Sequence, residues 1–167
     1  MAAIGDVKSN NNKKAVCLMP TGTVANVAAP TSTPSVGAPA SAADGVPMYP
    51  QVQFDPSDTA HGFVCRDPRE STLVIKGECT AGQTLVGTFT LWGYLAGPNA
   101  WFEIPVNGGT AITPVALAET DADAIRFQQR FQNLGHYDRI ALQLASIGGT
   151  GATYEAWLVT GLAGTGA

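Results

Sequence analysis

Charge is what this sequence has least of. Only 13% of its 167 residues are Asp, Glu, Lys or Arg, against roughly 25% in ordinary globular domains. That scarcity excludes a highly charged disordered chain and a long solvated helix or coiled coil. Nine basic residues stand against 13 acidic ones, a net charge of −4. Such a balance argues against a basic surface that grips nucleic acid through its phosphates, so no nucleic-acid partner is expected. No run approaches the ~18 uninterrupted apolar residues of a membrane-spanning helix, so no membrane partner is expected either. The opening reads poorly as a secretory signal, because Ala15-Val16-Cys17-Leu18-Met19 stops at Pro20. That run is too short for the hydrophobic stretch of a signal peptide and reads as one strand or an anchoring knob.

Metal-binding and catalytic patterns are equally thin. The three cysteines, Cys17, Cys65 and Cys79, have no CxxC spacing, and the histidines are only His61 and His136. A Cys/His zinc site is therefore not expected, and the thiols read as small buried groups in a reducing cytosol. Neither histidine lies near a nucleophile signature such as GxSxG. Gly148-Gly149-Thr150-Gly151 lacks the Lys and following helix of a phosphate-binding loop, and reads as a hairpin turn. Glu119, Asp121 and Asp123 fall at alternate positions and would face one way on extended chain, as oxygen ligands for a hard cation do. Without the rest of an EF-hand pattern they read as a solvated acidic turn. The expectation is a protein that is not an enzyme and carries no cofactor and no metal.

Aromatic residues are missing from the first 48 positions, and all 13 lie from Tyr49 onward. The same opening stretch holds five charges and is rich in Ala, Pro, Ser and Thr. Such a segment favours extended backbone and has little with which to build a core of its own. The chain thus divides into an extended N-terminal arm, 1–48, and a body, 49–167. An arm can add strands to a partner's sheet edge, its alternate side chains filling pockets. Val16, Leu18, Val24 and Val27 are the residues expected to do so. The alternative is that they pack on the chain's own body.

In the body the dominant period is two. Leu85, Phe89, Leu91 and Leu95 share one parity, with Val86, Thr88, Thr90, Trp92 and Tyr94 on the other. Ile140, Leu142 and Leu144 repeat the pattern, as do Tyr154, Ala156 and Leu158. Alternation of this kind marks half-buried strands, and Gly-rich turns separate the runs. Strands are expected near 50–54, 61–65, 71–77, 84–95, 100–106, 110–117, 124–132, 138–147 and 152–162. The run at 124–132 also fits a helix through Ala124, Phe127, Phe131 and Leu134, but a strand ending in a loop at Leu134-Gly135 is preferred. Many short strands with Gly-rich turns predict an all-β fold, an antiparallel β-sandwich of jelly-roll or Ig-like type with a long extended N-terminal arm. Trp92, Tyr94, Trp101 and Trp157 are candidates for an aromatic platform that holds a sugar, although aromatics on strands usually serve core or interface.

Gly87-Thr88-Phe89-Thr90-Leu91-Trp92-Gly93-Tyr94, followed by Trp101-Phe102-Glu103-Ile104-Pro105, resembles small structural proteins of tailed-bacteriophage virions. Arg126-Phe127-Gln128, the run Tyr137-Asp138-Arg139-Ile140-Ala141-Leu142-Gln143-Leu144 and the closing stretch from Gly149 to Leu158 carry the same resemblance. It spans residues from about 84 to 162. What it implies is a β-sandwich displayed on a virion, a capsid decoration (cement) protein or related head appendage. The implied partner is the major capsid protein or another virion protein, with assembly in the host bacterial cytoplasm and a homo-oligomeric state. The alternative is a fibre or receptor-recognition module that binds host-surface glycans. The resemblance transfers no catalytic residues.

Overall fold

The computed structural model describes residue 4 and residues 7–10, 13–24, 27–31, 33, 45–47, 70–106, 111–112, 124–132 and 134–161. Among these the chain forms ten strands: β1 (Val7–Asn10), β2 (Lys13–Thr23), β3 (Val46–Pro47), β4 (Glu70–Glu78) and β5 (Val86–Leu95), then β6 (Ala100–Glu103), β7 (Ala111–Ile112), β8 (Ala124–Gln132), β9 (Arg139–Gly148) and β10 (Thr153–Gly161). A single 3-10 turn at Leu134–His136 separates β8 from β9.

One sheet has the order β1-β2-β10-β4-β8 and the other β3-β9-β5-β6, with β7 also on β5. Every pairing is antiparallel, and the partners nest: β2 with β10, β3 with β9, β4 with β8, β5 with β6. A chain doubled back about the β5–β6 turn and then rolled into two sheets is a jelly roll. The nesting decides between the two sandwich types that the sequence left open. β1 adds one further strand outside β2.

The alternation seen in sequence fills the space between the sheets. Leu73, Ile75, Tyr154, Ala156 and Leu158 from the first sheet meet Phe89, Leu91, Ile140, Leu142 and Leu144 from the second in one buried cluster. The stretch 124–132 is a strand, paired with β4 over its whole length. Leu134 looked like the next turn of a helix because the 3-10 turn carries it back into the same core.

The arm is where the structure departs most from the sequence reading. β2 lies between β1 and β10, and its Leu18 and Met19 are buried in the core. Thr21 donates a hydrogen bond to Glu155 of β10, 2.5 Å away, and Lys76 of β4 pairs with the same carboxylate at 2.6 Å. Lys13–Thr23 therefore belongs to the body, although it carries no aromatic residue. Backbone pairing supplies what its small side chains do not. The strands expected at 50–54 and 61–65, and most of the one at 110–117, lie outside the described residues.

Tyr154 joins the two sheets. Its ring lies over Gly77 of β4, where an added Cβ would come within 2.6 Å of it. It meets Phe89 of the second sheet edge-on, with centroids 5.2 Å apart and planes at 81°. The hydroxyl donates to the Val86 carbonyl at 2.6 Å. Burial pushes the phenol pKa from 10.0 up to about 12, and the nearby Cys79 thiol adds to the rise. A raised acid pKa means the folded state holds its proton more tightly than the unfolded state. The associated stability is fully present below pH 10 and is lost as pH climbs toward 12. We expect unfolding free energy from denaturant titration to fall across that window. In the Tyr154→Phe variant, about 1–2 kcal/mol less stable at neutral pH, that part of the pH dependence should vanish. An absorbance titration should show a late-ionising phenol that Tyr154→Phe removes. A late step that survives in Tyr154→Phe, or no late step at all, would contradict this account.

Candidate functional site

Strand alternation places Trp92 and Tyr94 on the outer face of the second sheet. The β5–β6 hairpin then sets Trp101 opposite Tyr94 and Glu103 opposite Trp92. The Tyr94 and Trp101 rings lie 5.4 Å apart at 53°. Asn99, in the turn between them, has a left-handed backbone (φ 53°) and accepts the Tyr94 hydroxyl proton at 2.5 Å. Trp92 Nε1 donates to Gln143 Oε1 of β9 at 3.0 Å.

A strap crosses this face. Gly45, just before β3, lies so close to Trp101 that an added Cβ would sit 2.5 Å from the indole. Its φ of +68° is one that side-chain-bearing residues seldom adopt. Arg139, paired opposite Tyr94 on β9, donates to the Gly45 carbonyl at 3.4 Å and is itself buried. The Tyr94 and Trp101 rings are thus engaged with their own chain. Trp157 does not join them. It lies in the other sheet, on β10, opposite Cys17 and Val74, and is buried. The structure brings together three of the four platform candidates and leaves the fourth apart.

The four arm residues also separate. Leu18 is in the core, Val16 pairs with Leu158 and packs against that core, and Val27 packs there too. Val27 bridges to Leu144 of β9, its N–H donating to the Leu144 carbonyl at 3.2 Å. Val24 alone of the four points to solvent, 66% exposed, the highest value among the exposed large hydrophobics. Ala28, Thr31 and Thr33 are exposed beyond it. The segment that contains them is fastened at both ends: through β2 to the first sheet, and through Val27 and β3 to the outer edge of β9.

A third feature had no counterpart in the sequence reading. Where β6 and β8 end their sheets in the described order, a groove of about 490 Å³ opens between Ile104–Val106, Gln129–Gln132 and the turn through Tyr137. Ile104, Val106, Phe131 and Leu134 are buried in it, and Arg130, Gln132 and His136 stand exposed around it. No carboxylate occurs among its described lining residues. Sequence gives no sign that Ile104–Val106, just after β6, and Gln129–Gln132 of β8, far apart in the chain, line one groove.

Among the described residues no three His, Cys, Asp or Glu side chains are grouped to hold a metal ion. His61, Cys65 and the acidic group at Glu119, Asp121 and Asp123 lie outside those residues. No described helix is long and apolar enough to cross a membrane. In comparisons with family models, curated proteins and solved structures, nothing matches this chain.

Two outcomes follow from the strap and its fastenings. Gly45→Ala should lower stability by about 1–3 kcal/mol and shift tryptophan emission. Unchanged melting and emission would show that the strap does not press on Trp101. If a specific protease site is placed between Val36 and Ala43 and cut, the N-terminal fragment should stay bound through β2. The halves should elute together in gel filtration and part only in denaturant. Separation under native conditions would mean that β2 is not held in its sheet.

Proposed function

We propose that this protein is a structural component of a bacteriophage-type virion, a jelly-roll sandwich that attaches to the assembled capsid and stabilises it. The observation that carries the reading is Val24, exposed between two fastenings, β2 in the first sheet on one side and the Val27 bridge to Leu144 of β9 on the other. Tethering removes much of the ordering cost that a free arm meets on binding, so an apolar contact there becomes effective. Val24 is the contact; Val16, Leu18 and Val27 hold its anchors. The partner is the major capsid protein or another virion protein, and the molecule acts as a homo-oligomer.

The mechanism is mechanical. A protein that binds only the assembled shell stabilises that state over its separated subunits. Repetition of the contact over a symmetric surface multiplies a modest interface. Jelly rolls also occur in lectins, and fold alone does not assign function. The glycan-binding alternative fits less well, since Tyr94 and Trp157 are buried and Trp101 lies against Gly45.

Co-sedimentation with shells assembled from the coat protein of the same virion tests the reading. The protein should pellet with intact shells and raise their melting temperature. Val24→Asp should weaken binding about tenfold, equivalent to about 1.4 kcal/mol, with the protein's own melting unchanged. Failure of the unmodified protein to pellet with shells would sink the proposal.

A further inference from the structure

We propose that residues 20–22 are a hinge inside β2, latched shut by the Glu155 carboxylate, which sets where Val24 stands and how far it reaches. The hinge stands on the first sheet alone; its use by Val24 rests on the attachment reading.

The pairing pattern is the first support. β10 runs against β4 without a break over residues 153–160. Against β2 its register slips, with Tyr154 facing Thr23 and Ala156 facing Met19. Pro20, Thr21 and Gly22 therefore stand opposite Glu155 alone, two residues more than a continuous ladder would hold. An ordinary bulge adds one. Pulled straight, two residues supply about 7 Å of chain.

The residue types are the second. Pro20 has no N–H to give to a ladder, and within sheets proline is confined to edges and bulges. Gly22 has a left-handed backbone, φ +86°, yet a Cβ there would meet nothing within 4 Å. That glycine serves conformation and not close packing. Burial changes at the same place. Cys17, Leu18 and Met19 are buried, whereas Thr21, Gly22 and Val24 are exposed. Among the described residues β1 pairs only with residues 13–16, so from Cys17 on the ladder of β2 is with β10 alone.

The latch is the third. Where backbone pairing lapses, side chains replace it. Thr21 donates to one oxygen of Glu155, and Lys76, on the unbroken β4 ladder, pairs with the other. A charged acceptor makes the Thr21 bond stronger than a neutral one would. Thr23 donates to the Pro20 carbonyl at 2.8 Å and closes the loop on itself. The loop is thus tied to β10 across the stretch where the ladder is interrupted.

Backbone 15N relaxation of the full-length protein and of two variants, Thr21→Val and Glu155→Ala, tests this, with melting as the check on folding. In the unmodified protein we expect order parameters of about 0.85 at residues 21–24, falling below about 0.6 in both variants. Residues 15–19 should stay rigid in all three. Mobile residues 21–24 in the unmodified protein, or unchanged ones in the variants, overturn the latch. Mobility that spreads through 15–19 overturns the hinge, because β2 then opens as one unit. Variants that unfold do so too, since a latch on a loop does not decide the fold. Thr21→Val should also weaken shell binding about threefold, because a loosened contact must be ordered on binding. A loosened variant that binds shells as tightly as the unmodified protein overturns the link to Val24 while the hinge stands. A working hinge in a protein that never pellets with shells overturns attachment and leaves the hinge in place.

Discussion

The two sheets are held in register by one tyrosine that reaches from the first into the second. Tyr154 needs three concessions from its surroundings: an absent side chain at Gly77, a free carbonyl at Val86 and an aromatic edge at Phe89. Gly87, next along β5, makes the same concession as Gly77, since an added Cβ there would meet the Tyr154 hydroxyl at 2.7 Å. The polar end of the ring is satisfied inside the sandwich, which a buried hydroxyl requires. Most of the rest of the core is aliphatic and could slide. A ring seated on glycine and hydrogen-bonded across the gap cannot, so strand β10 fixes where β4 and β5 sit relative to each other.

The outer face repeats this logic. Trp101 sits against Gly45 as Tyr154 sits over Gly77, and Arg139 secures the strap by donating to the Gly45 carbonyl. Trp101, one of the side chains that looked like a platform for a ligand, lies against Gly45 from the N-terminal third of the chain. The consequence reaches the proposed contact. Because β2 and the strap are both fixed, Val24 projects from a framework and not from a loose tail, and an attachment made there transmits force into both sheets.

How much was legible in sequence depended on range. The alternations through Phe89 and Leu91, Ile140 and Leu144, and Tyr154 and Leu158 located β5, β9 and β10 closely, because period two is a local property of the backbone. β2 was harder. Cys17, Leu18 and Met19 form a short apolar run without aromatics, and their burial comes from pairing with residues more than 130 positions later. Local composition has no access to such pairing. The platform was half legible: parity joined Trp92 to Tyr94 and a hairpin supplied Trp101, but Trp157 shares the aromatic character and not the sheet. The groove was invisible, since Ile104, Phe131 and His136 come from three separate elements.

The place of β10 in the first sheet bears on how the molecule is made. It lies between β2 and β4, yet it is the last of the described strands to leave the ribosome. Until it arrives, β2 has only β1 beside it, and β4 has only β8. Two half-sheets with open edges must wait for one late strand to close them, a high-contact-order step that slows folding. The same order makes the finished sheet hard to open from either margin, because its central seam was sealed last and from within.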